Sequence, residues 1–395
     1  MRIGLIVPGF SAHEDDWATP ALDDLTRTLA AENDVHVFAL RYPHTPGEYR
    51  WHGARVTSLA GHSAAGLGSP LLWQRAVAAL RREHAASPFD LLHAFWAYES
   101  GVVGALAARR LGAPLVISLI AGELERRPDL DYPVRSTGLR GHARYRHRRL
   151  LTRWALARAA QITGLSQMHV ASIRRVLPPK LHERVVRLPF GVDLQRFRPA
   201  AGEVEIIGAQ LLNVGALTTV KNQRGLVEAM PIILRQFPSA QLTLAGDGPL
   251  RAALAGRVHE LGLDDHVVLA GRVPHLDMPA LFRSHDLLVQ TSHLETQGMA
   301  LLEAAACGLP AVSMAVGAAV ELGAGAVRIV EASAPRSVAG AVIDLLSNQP
   351  ALMRTAQQAR AVVEAEFALE ICVRRWKRVY RDITARSVQS GTTPR

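Results

Sequence analysis

The 395-residue sequence contains few cysteines, few aromatic residues and very few lysines. Its two cysteines, Cys307 and Cys372, exclude a fold held by several disulfides and favour a reducing compartment such as the cytoplasm. With 6 Trp and 6 Tyr, the chain lacks the aromatic platforms on which single-stranded nucleic acids stack. Nucleic acid is therefore not an expected partner.

Long apolar runs and several familiar motifs are also missing. The longest apolar stretches are interrupted by Gly, Pro or the Arg109–Arg110 pair, so no membrane-spanning helix is expected. The opening residues, MRIGLIVPGF, have too short an apolar core for a signal peptide. The absence of HExxH, paired CxxC, GxSxG and GxGxxG leaves zinc, redox, serine-hydrolase and dinucleotide chemistry without support.

Basic charge is concentrated in one half of the chain. Residues 1–200 carry 27 Lys+Arg and 17 Asp+Glu, whereas residues 201–395 carry 18 of each. Only three of the 45 basic residues are lysines, namely Lys180, Lys221 and Lys377. A chain that uses arginine almost everywhere keeps lysine where geometry requires it, which draws attention to Lys221.

Short apolar runs alternate with amphipathic helical patterns along the whole chain. Strands are predicted at residues 2–7, 34–40, 55–60, 90–96, 114–121, 158–166, 184–189, 210–214, 241–245, 267–270, 286–290, 311–316 and 327–330. Near-continuous apolar strands separated by helices indicate parallel sheets covered on both faces. The chain length favours two such α/β domains, with ligands at the carboxyl ends of the strands.

The stretch TSHLETQGMALLEAAACGLP joins the predicted strand 286–290 to a predicted helix. Glu295 lies in the loop, and Glu303 lies about one turn inside the helix. The free N–H groups of Gly298, Met299 and Ala300 favour a phosphate at the helix N-terminus. Because carboxylates repel phosphate, the two acids are suited to neutral hydroxyl groups. Two solvated acids on a surface helix are the alternative that their spacing alone would favour.

The block ETQGMALLEAAACGLP closely resembles the E-x7-E signature of family 4 glycosyltransferases, which are retaining enzymes with the GT-B fold. The resemblance implies that Glu295 contacts the transferred sugar and that Glu303 holds the nucleotide ribose. Gln297 would belong to the same donor site. The segment LPFGVDLQRFRP resembles the PxGVDxxxFxP linker between the two halves of that family, which implies two Rossmann-like domains facing a cleft.

A second block, NVGALTTVKNQRG, places Gly215 at a strand end and Lys221 at the entry to a helix. The family commonly has G-R-x4-K here, with both cations on the diphosphate. This chain has Ala216 at the arginine position, so the resemblance implies a clamp in which Lys221 is the remaining cation. Arg224, or the helix N-terminus at Gly298, would have to supply the missing charge.

Two further loops resemble donor-binding segments of the family. LTLAGDGPLR carries Asp247 between two glycines after a strand, although GDG is also an ordinary turn. In LAGRVPHLDMPALF, the resemblance places the backbone of Arg272 and Val273 beside the nucleotide base. Recognition by main-chain atoms leaves the identity of the base open.

The first half departs further from the family. A single Gly9 replaces the usual glycine pair after the first strand, and no histidine follows the strand PLVISLIA. The candidates on the acceptor side are therefore Gly9, His93 and Glu123, although a lone histidine such as His93 is more often a structural hydrogen-bonding residue. Asp129 and Asp131 match a metal-binding DxD, but they lie in a loop rich in Pro and Arg, so no metal is expected.

Arginines are densest between Arg126 and Arg158, where ten arginines accompany two acids. Leu150, Leu151 and Trp154 fall on or near one face of the helix predicted there. This helix is either a solvated surface of an arginine-rich protein or a contact surface for anionic lipid or a phosphorylated acceptor. The second interpretation implies peripheral binding to the inner face of the cytoplasmic membrane.

Taken with the resemblance, the sequence indicates a retaining glycosyltransferase that moves a hexose from a UDP- or GDP-sugar to a hydroxyl of a glycan, lipid or small molecule. It would need no metal or other cofactor. A non-catalytic sugar-nucleotide-binding protein and a sugar-nucleotide epimerase are the alternatives. The expected domains are residues 1–198 on the acceptor side and 199–368 for the donor. A helix at 369–386 would return to the first domain, and residues 387–395 would form a disordered tail.

Overall fold

The computed structural model of the chain describes residues 1–13, 16, 19–61, 68–124, 139–200 and 209–389. Asp129 and Asp131, the arginines between 126 and 135, and residues 390–395 lie outside these ranges. The described residues form two compact units, one from residues 1–191 and 370–389 and the other from residues 192–369. They are called the first and second domains below.

The first domain is built on an eight-stranded sheet. Its strands are β1 (Arg2–Gly9), β2 (Asp34–Tyr42), β3 (Gly47–Trp51), β4 (Ala54–Ser58), β5 (Leu91–Phe95), β6 (Leu115–Ser118), β7 (Gln161–Gly164) and β8 (Val185–Arg187). Their order is β3-β4-β2-β1-β5-β6-β7-β8. All neighbours pair in parallel except β3, which pairs antiparallel with β4 at the sheet edge. Residues of β3 are partly or fully exposed, so this strand has no apolar pattern by which it could be predicted.

Helices cover this sheet and bury its apolar strands. They are α1 (Pro20–Ala30), α2 (Gly68–Ala86), α3 (Glu99–Leu111), α4 (Leu139–Leu156), α5 (Gln167–Val176) and the C-terminal α13 (Leu369–Gln389). A short 3-10 helix, Pro179–Arg184, precedes β8. Every residue of β5 and β6 is buried, as the continuous apolar runs predict for strands covered on both faces.

The C-terminal helix α13 belongs to the first domain. Trp376 Nε1 donates to the carbonyl of Pro189 at 3.1 Å, and the Tyr380 hydroxyl lies 2.6 Å from His93 Nδ1. The other ring nitrogen of His93, Nε2, lies 2.7 Å from Ser118 Oγ. His93 is fully buried, and burial lowers its pKa to about 3. The suggestion that His93 serves an acceptor is therefore wrong, because both ring nitrogens bind buried partners.

The second domain contains a six-stranded, fully parallel sheet. Its strands are β9 (Gln210–Val214), β10 (Gln241–Ala245), β11 (Val267–Gly271), β12 (Leu287–Gln290), β13 (Ala311–Met314) and β14 (Arg328–Val330). Its helices are α6 (Gln223–Gln236), α7 (Arg251–Glu260), α8 (Met278–Arg283), α9 (Met299–Ala306), α10 (Ala318–Leu322), α11 (Pro335–Leu346) and α12 (Gln349–Val362), which continues into a π-helical turn at Val363–Phe367. Both domains are Rossmann-like.

The strand order of the second sheet locates a ligand site. The order is β11-β10-β9-β12-β13-β14, so the chain runs outward in one direction from β9 and in the other from β12. Ligands of such sheets bind at the carboxyl ends of the two strands where the direction reverses. The segments that leave these ends begin at Gly215 after β9 and at Thr291 after β12.

The domain boundary lies earlier than the predicted 198/199. Val192 N donates to the carbonyl of Phe367 at 2.8 Å, and Leu369 N donates to the carbonyl of Val192 at 2.9 Å. Phe197 is buried in the second domain's core. These contacts place the linker from Val192 onward in the second domain. Helix α13 also continues through residues 387–389, which were predicted to belong to the tail.

Candidate active site

The acidic and the basic residue predicted to carry catalysis, Glu295 and Lys221, are in direct contact. Lys221 Nζ lies 2.5 Å from Glu295 Oε1, and their side chains are 27% and 11% exposed, respectively. Lys221 comes from the segment after β9 and Glu295 from the segment after β12. The pair therefore stands where the chain direction of the second sheet reverses.

Backbone contacts hold Lys221 in this position. Thr291 Oγ1 donates to the carbonyl oxygens of Lys221 and Asn222 at 3.1 and 3.0 Å, respectively. His293 N donates to the carbonyl of Val220 at 2.8 Å. Asn222 adopts a left-handed conformation (φ 51°), which asparagine tolerates well, immediately before α6 begins. The segment after β12 thus supports the segment that carries Lys221.

Glu295 is held from the other side by the turn before α10. Ala318 N donates to the carbonyl of Gln297 at 2.6 Å. Gly317 has a φ of 53°, and a Cβ there would lie 2.5 Å from the Gln297 carbonyl oxygen and 2.9 Å from Glu295 Cβ. Only glycine allows this close approach. Gln297 is itself 2% exposed, so it shapes the loop from within.

Helix α9 presents its N-terminus beside this loop. Gly298 caps the helix in a left-handed conformation (φ 90°), and Met299 and Ala300 form its first turn. Their N–H groups have no partner within the helix, as at every helix start, and they favour an anion. Glu303 follows one turn later with its side chain 11% exposed. The loop acid, the helix start and the second acid that the sequence singled out therefore lie close together.

Glu303 has a partner that the sequence did not reveal. His275 Nε2 lies 2.9 Å from Glu303 Oε1, and His275 Nδ1 lies 3.2 Å from Arg196 Nη1. His275 follows β11 and Arg196 lies in the linker, so the contact depends on tertiary structure. The one signal in the sequence was the position of His275 in a loop at the carboxyl end of a predicted strand.

The glycine-rich loops after β9 and β10 pack against each other. A Cβ at Gly246 would lie 2.0 Å from the Gly215 carbonyl oxygen, and one at Gly248 would lie 2.6 Å from the Leu217 carbonyl oxygen. Asp247 is exposed, and its Oδ1 accepts from Gly248 N at 2.8 Å. These glycines allow the two loops to lie in direct contact beside the site. Asp247 stabilises the turn after β10 through its hydrogen bond with Gly248.

The remaining predicted donor residues follow β11. Gly246 N donates to the carbonyl of Gly271 at 2.7 Å, which draws the end of β11 towards the glycine-rich loops. Arg272 comes next and is exposed, and Val273 packs partly buried against the second domain's core. The loop thus lies next to the loop after β10, as a base-binding loop of this site would require.

No arginine side chain stands at the position where the family has one, because that residue is Ala216. The carbonyl of Ala216 accepts from Gln223 Nε2 at 3.1 Å. Arg224, a suggested substitute, is 70% exposed and forms an ion pair with Glu228 at 2.9 Å. Of the groups that the sequence suggested for a diphosphate, Lys221 and the start of α9 therefore remain candidates.

In the first domain, Gly9 and Glu123 lie at the carboxyl ends of β1 and β6, respectively. A Cβ at Gly9 would approach Tyr42 Cβ to 3.1 Å, so Gly9 allows β1 and β2 to close together. Glu123 Oε1 accepts from the backbone N–H groups of Ala97 and Ile120, both at 3.3 Å. Burial raises the pKa of Glu123 to about 7 despite these bonds. Glu123 joins the loops after β5 and β6.

Comparison with known proteins decides the family. The glycosyl transferase 4-like domain matches residues 18–191, and the family described as glycosyl transferases group 1 matches residues 208–362. The D-inositol 3-phosphate glycosyltransferase of Kineococcus radiotolerans is 30% identical over 353 residues, which cover 79% of this chain and 76% of that protein. The chain belongs to the group 1 glycosyltransferase family.

Other similarities agree with this glycosyltransferase assignment. The 2-deoxystreptamine glucosyltransferase of Streptomyces kanamyceticus is 29% identical over 67% of this chain and 68% of its own length. Sucrose-phosphate synthase from Thermosynechococcus elongatus has the same fold, with a TM-score of 0.76 at 21% identity over 97% of this chain and 99% of that one. Anabaena HepE, solved with UDP and glucose, gives a TM-score of 0.73 at 18% identity over 97% and 100% of the two chains. The protein is a GT-B glycosyltransferase of the hexosyltransferase class.

Proposed function

We propose that this glycosyltransferase transfers a hexose from a UDP- or GDP-sugar to an acceptor hydroxyl, with retention of the anomeric configuration and without a metal ion. The observation that carries the proposal is the contact of Lys221 with Glu295 beside the N-terminus of α9. This arrangement puts a cation, a set of free N–H groups and an acid into one site.

Each group has a task in this reaction. Lys221 and the N–H groups of Met299 and Ala300 hold the diphosphate and stabilise its charge as the sugar–phosphate bond breaks. Glu295 accepts hydrogen bonds from hydroxyls of the transferred sugar, and Glu303 accepts them from the ribose. The acceptor oxygen bonds to the anomeric carbon on the face that the diphosphate leaves, and its proton passes to the departing phosphate oxygen.

A binding panel tests the donor class. We expect UDP or GDP and the corresponding nucleotide sugars to raise the melting temperature, whereas ADP and CDP do not. A ligand present at 100 times its Kd adds about 2.7 kcal/mol of stability. Release of free sugar or transfer product from the stabilising donor then tests catalysis. Absence of any stabilising nucleotide diphosphate would refute the proposal.

We further propose that the acceptor is anionic or is presented at an anionic membrane, because the first domain is strongly basic. Residues 1–191 with 370–395 carry 32 Lys+Arg and 18 Asp+Glu, whereas residues 192–369 carry 13 and 17. Within the described residues, no helix has the length and apolar character of a membrane span. The contact that we propose is peripheral and electrostatic.

Helix α4 supports this proposal through charge rather than through its apolar face. Leu151 and Trp154 pack, partly buried, against the first domain's core, so they are not available to lipid. Leu150 is 66% exposed, and Arg146 and Arg148 are exposed beside it. Each basic residue near an anionic bilayer contributes about 1 kcal/mol, so a few arginines give reversible, salt-sensitive binding.

Vesicle flotation tests the membrane contact. We expect the protein to float with anionic vesicles at low salt and to be released at high salt. Changing the exposed Arg146, Arg148 and Arg153 to Gln should reduce flotation. The same number of changes on the second domain, at the exposed Arg224, Arg328 and Arg336, should not. If the wild type fails to float at low salt, the acceptor is a soluble molecule.

A further inference from the structure

We propose that His275 is a positioning residue for the donor nucleotide. Held by Arg196, it fixes the carboxylate of Glu303 so that one oxygen is aimed at a ribose hydroxyl. The inference rests on the proposed role of Glu303 in donor binding and adds two residues to it. All three side chains belong to the second domain and are joined by distances of 2.9 and 3.2 Å.

The chemistry of the three groups sets the proton positions. A guanidinium can only donate, so the 3.2 Å contact makes His275 Nδ1 an acceptor from Arg196. The ring proton is then on Nε2, which donates to Glu303 Oε1 at 2.9 Å. Arg196 thereby selects the tautomer of His275 that can hold a carboxylate. Without that contact, the other neutral tautomer would present a lone pair to Glu303.

The linker turn holds Arg196 in place. Asp193 Oδ1 accepts from the backbone N–H groups of Gln195 and Arg196 at 3.0 and 3.2 Å, respectively. Asp193 Oδ2 also lies 3.8 Å from Arg196 Nη2. The Phe197 ring lies 5.3 Å from the His275 ring and is buried in the core. The histidine is thus fixed by packing on one side and by the guanidinium on the other.

This arrangement matters because Glu303 is nearly buried. Its side chain is 11% exposed, and that of His275 is 19% exposed. A nearly buried carboxylate is stabilised by N–H donors, and it needs a fixed rotamer to meet a ligand hydroxyl. His275 binds Oε1, so Oε2 is the oxygen that can accept from the nucleotide. A carboxylate that is already oriented loses less conformational freedom when the nucleotide binds.

Calorimetric titration with UDP, or with GDP if the nucleotide panel selects it, tests the role of His275. The variant His275→Phe keeps the ring against Phe197 but removes the N–H donor. We expect it to weaken binding about tenfold, the size of effect seen when the partner that orients a ligating side chain is lost at metal sites. His275→Gln retains an N–H donor of similar reach and should recover part of the affinity. Glu303→Gln should weaken binding at least as much as His275→Phe.

Nucleotides that lack the 2′- or the 3′-hydroxyl separate positioning from general structural damage. If His275 acts through Glu303 on the ribose, wild type and His275→Phe should bind at least one deoxynucleotide equally well. Equal weakening of ribo- and deoxynucleotide by the substitution would overturn the inference, as would unchanged UDP affinity. If the wild type binds no nucleoside diphosphate, the proposed function itself is refuted. If Glu303→Gln loses binding while His275→Phe binds as tightly as the wild type, only the role of His275 is refuted.

Discussion

The ion pair between Lys221 and Glu295 predicts an unusual result for the substitution Glu295→Gln. Glu295 Oε1 lies 2.5 Å from Lys221 Nζ and therefore competes with any phosphate for this cation. Glutamine keeps the size of the side chain and removes its charge. We expect Glu295→Gln to bind bare UDP more tightly than wild type does, while its turnover falls.

The structure sets the size of this effect. Exposed ion pairs contribute about 0.2–1 kcal/mol, and this pair, with side chains 27% and 11% exposed, belongs at the upper end. Releasing about 1 kcal/mol of competing attraction corresponds to about fivefold tighter binding. Loss of repulsion between carboxylate and diphosphate acts in the same direction. Turnover should fall about 10- to 100-fold, because the glutamine side chain would no longer offer the transferred sugar a charged acceptor.

Calorimetry of UDP binding and steady-state turnover measure the two halves of this prediction. Glu228→Gln is the matched control, because Glu228 is a second-domain acid that pairs with Arg224 and Arg257 on the helix surface. It should change neither quantity. Glu303→Gln should weaken UDP binding. If Glu295→Gln weakens UDP binding as much as Glu303→Gln does, the assignment of separate sugar and ribose roles is refuted.

Three further predictions concern catalysis, pH and backbone geometry. Lys221→Ala should lower kcat about 10²- to 10³-fold with a smaller change in KM, and EDTA should affect neither wild type nor variant. Burial lowers the pKa of three first-domain histidines to about 4, 3 and 4, namely His36, His93 and His169. As the pH falls, these histidines take up protons in the unfolded chain at a higher pH than in the folded protein. The free energy of unfolding, measured by calorimetry, should therefore decrease as the pH drops from about 6.5 towards 4, by up to about 1.4 kcal/mol per pH unit for each histidine. In urea titrations, Gly246→Ala should destabilise the protein by more than about 2 kcal/mol, because the added Cβ would lie 2.0 Å from the carbonyl oxygen of Gly215. Gly256→Ala, on an exposed part of α7 with open space around it, should stabilise the protein by about 0.5–1 kcal/mol.

Much of the fold was predictable because a strand that is buried on both faces has a continuous run of apolar residues. The apolar runs at β5 and β6 are buried at every residue, and the sequence identified both. The edge strand β3 was missed because its side chains are partly or fully exposed and carry no apolar pattern. The pattern of apolar residues thus predicts a strand when both faces of the sheet are covered by helices. It does not predict an edge strand that is stabilised mainly by hydrogen bonds to one neighbouring strand.

Site residues were predictable where chemistry and loop position coincide in the sequence. Their motifs made Glu295 and Lys221 candidates, and the structure brings them into contact across 74 positions of sequence. His93 was misplaced because its partner, the Tyr380 hydroxyl, is 287 positions away. His275 was overlooked for the same reason, since its two partners lie in the linker and in α9. A histidine's role depends on which groups face its two nitrogens, and sequence spacing does not contain that information.

The distribution of charge bears on which groups of the second domain could hold a diphosphate. The second half of the sequence has equal numbers of acidic and basic residues, but α13, which belongs to the first domain, supplies part of the basic ones. Residues 192–369 alone carry 13 Lys+Arg against 17 Asp+Glu, so this domain as a whole does not attract a diphosphate. At physiological ionic strength, charges farther away than about 8 Å are largely screened. Binding an anion on this domain therefore requires positive groups within contact distance, and Lys221 and the first N–H groups of α9 are the ones placed where the chain direction of the sheet reverses. Lys221 should therefore be far less tolerant of substitution than the exposed Arg224, Arg328 and Arg336.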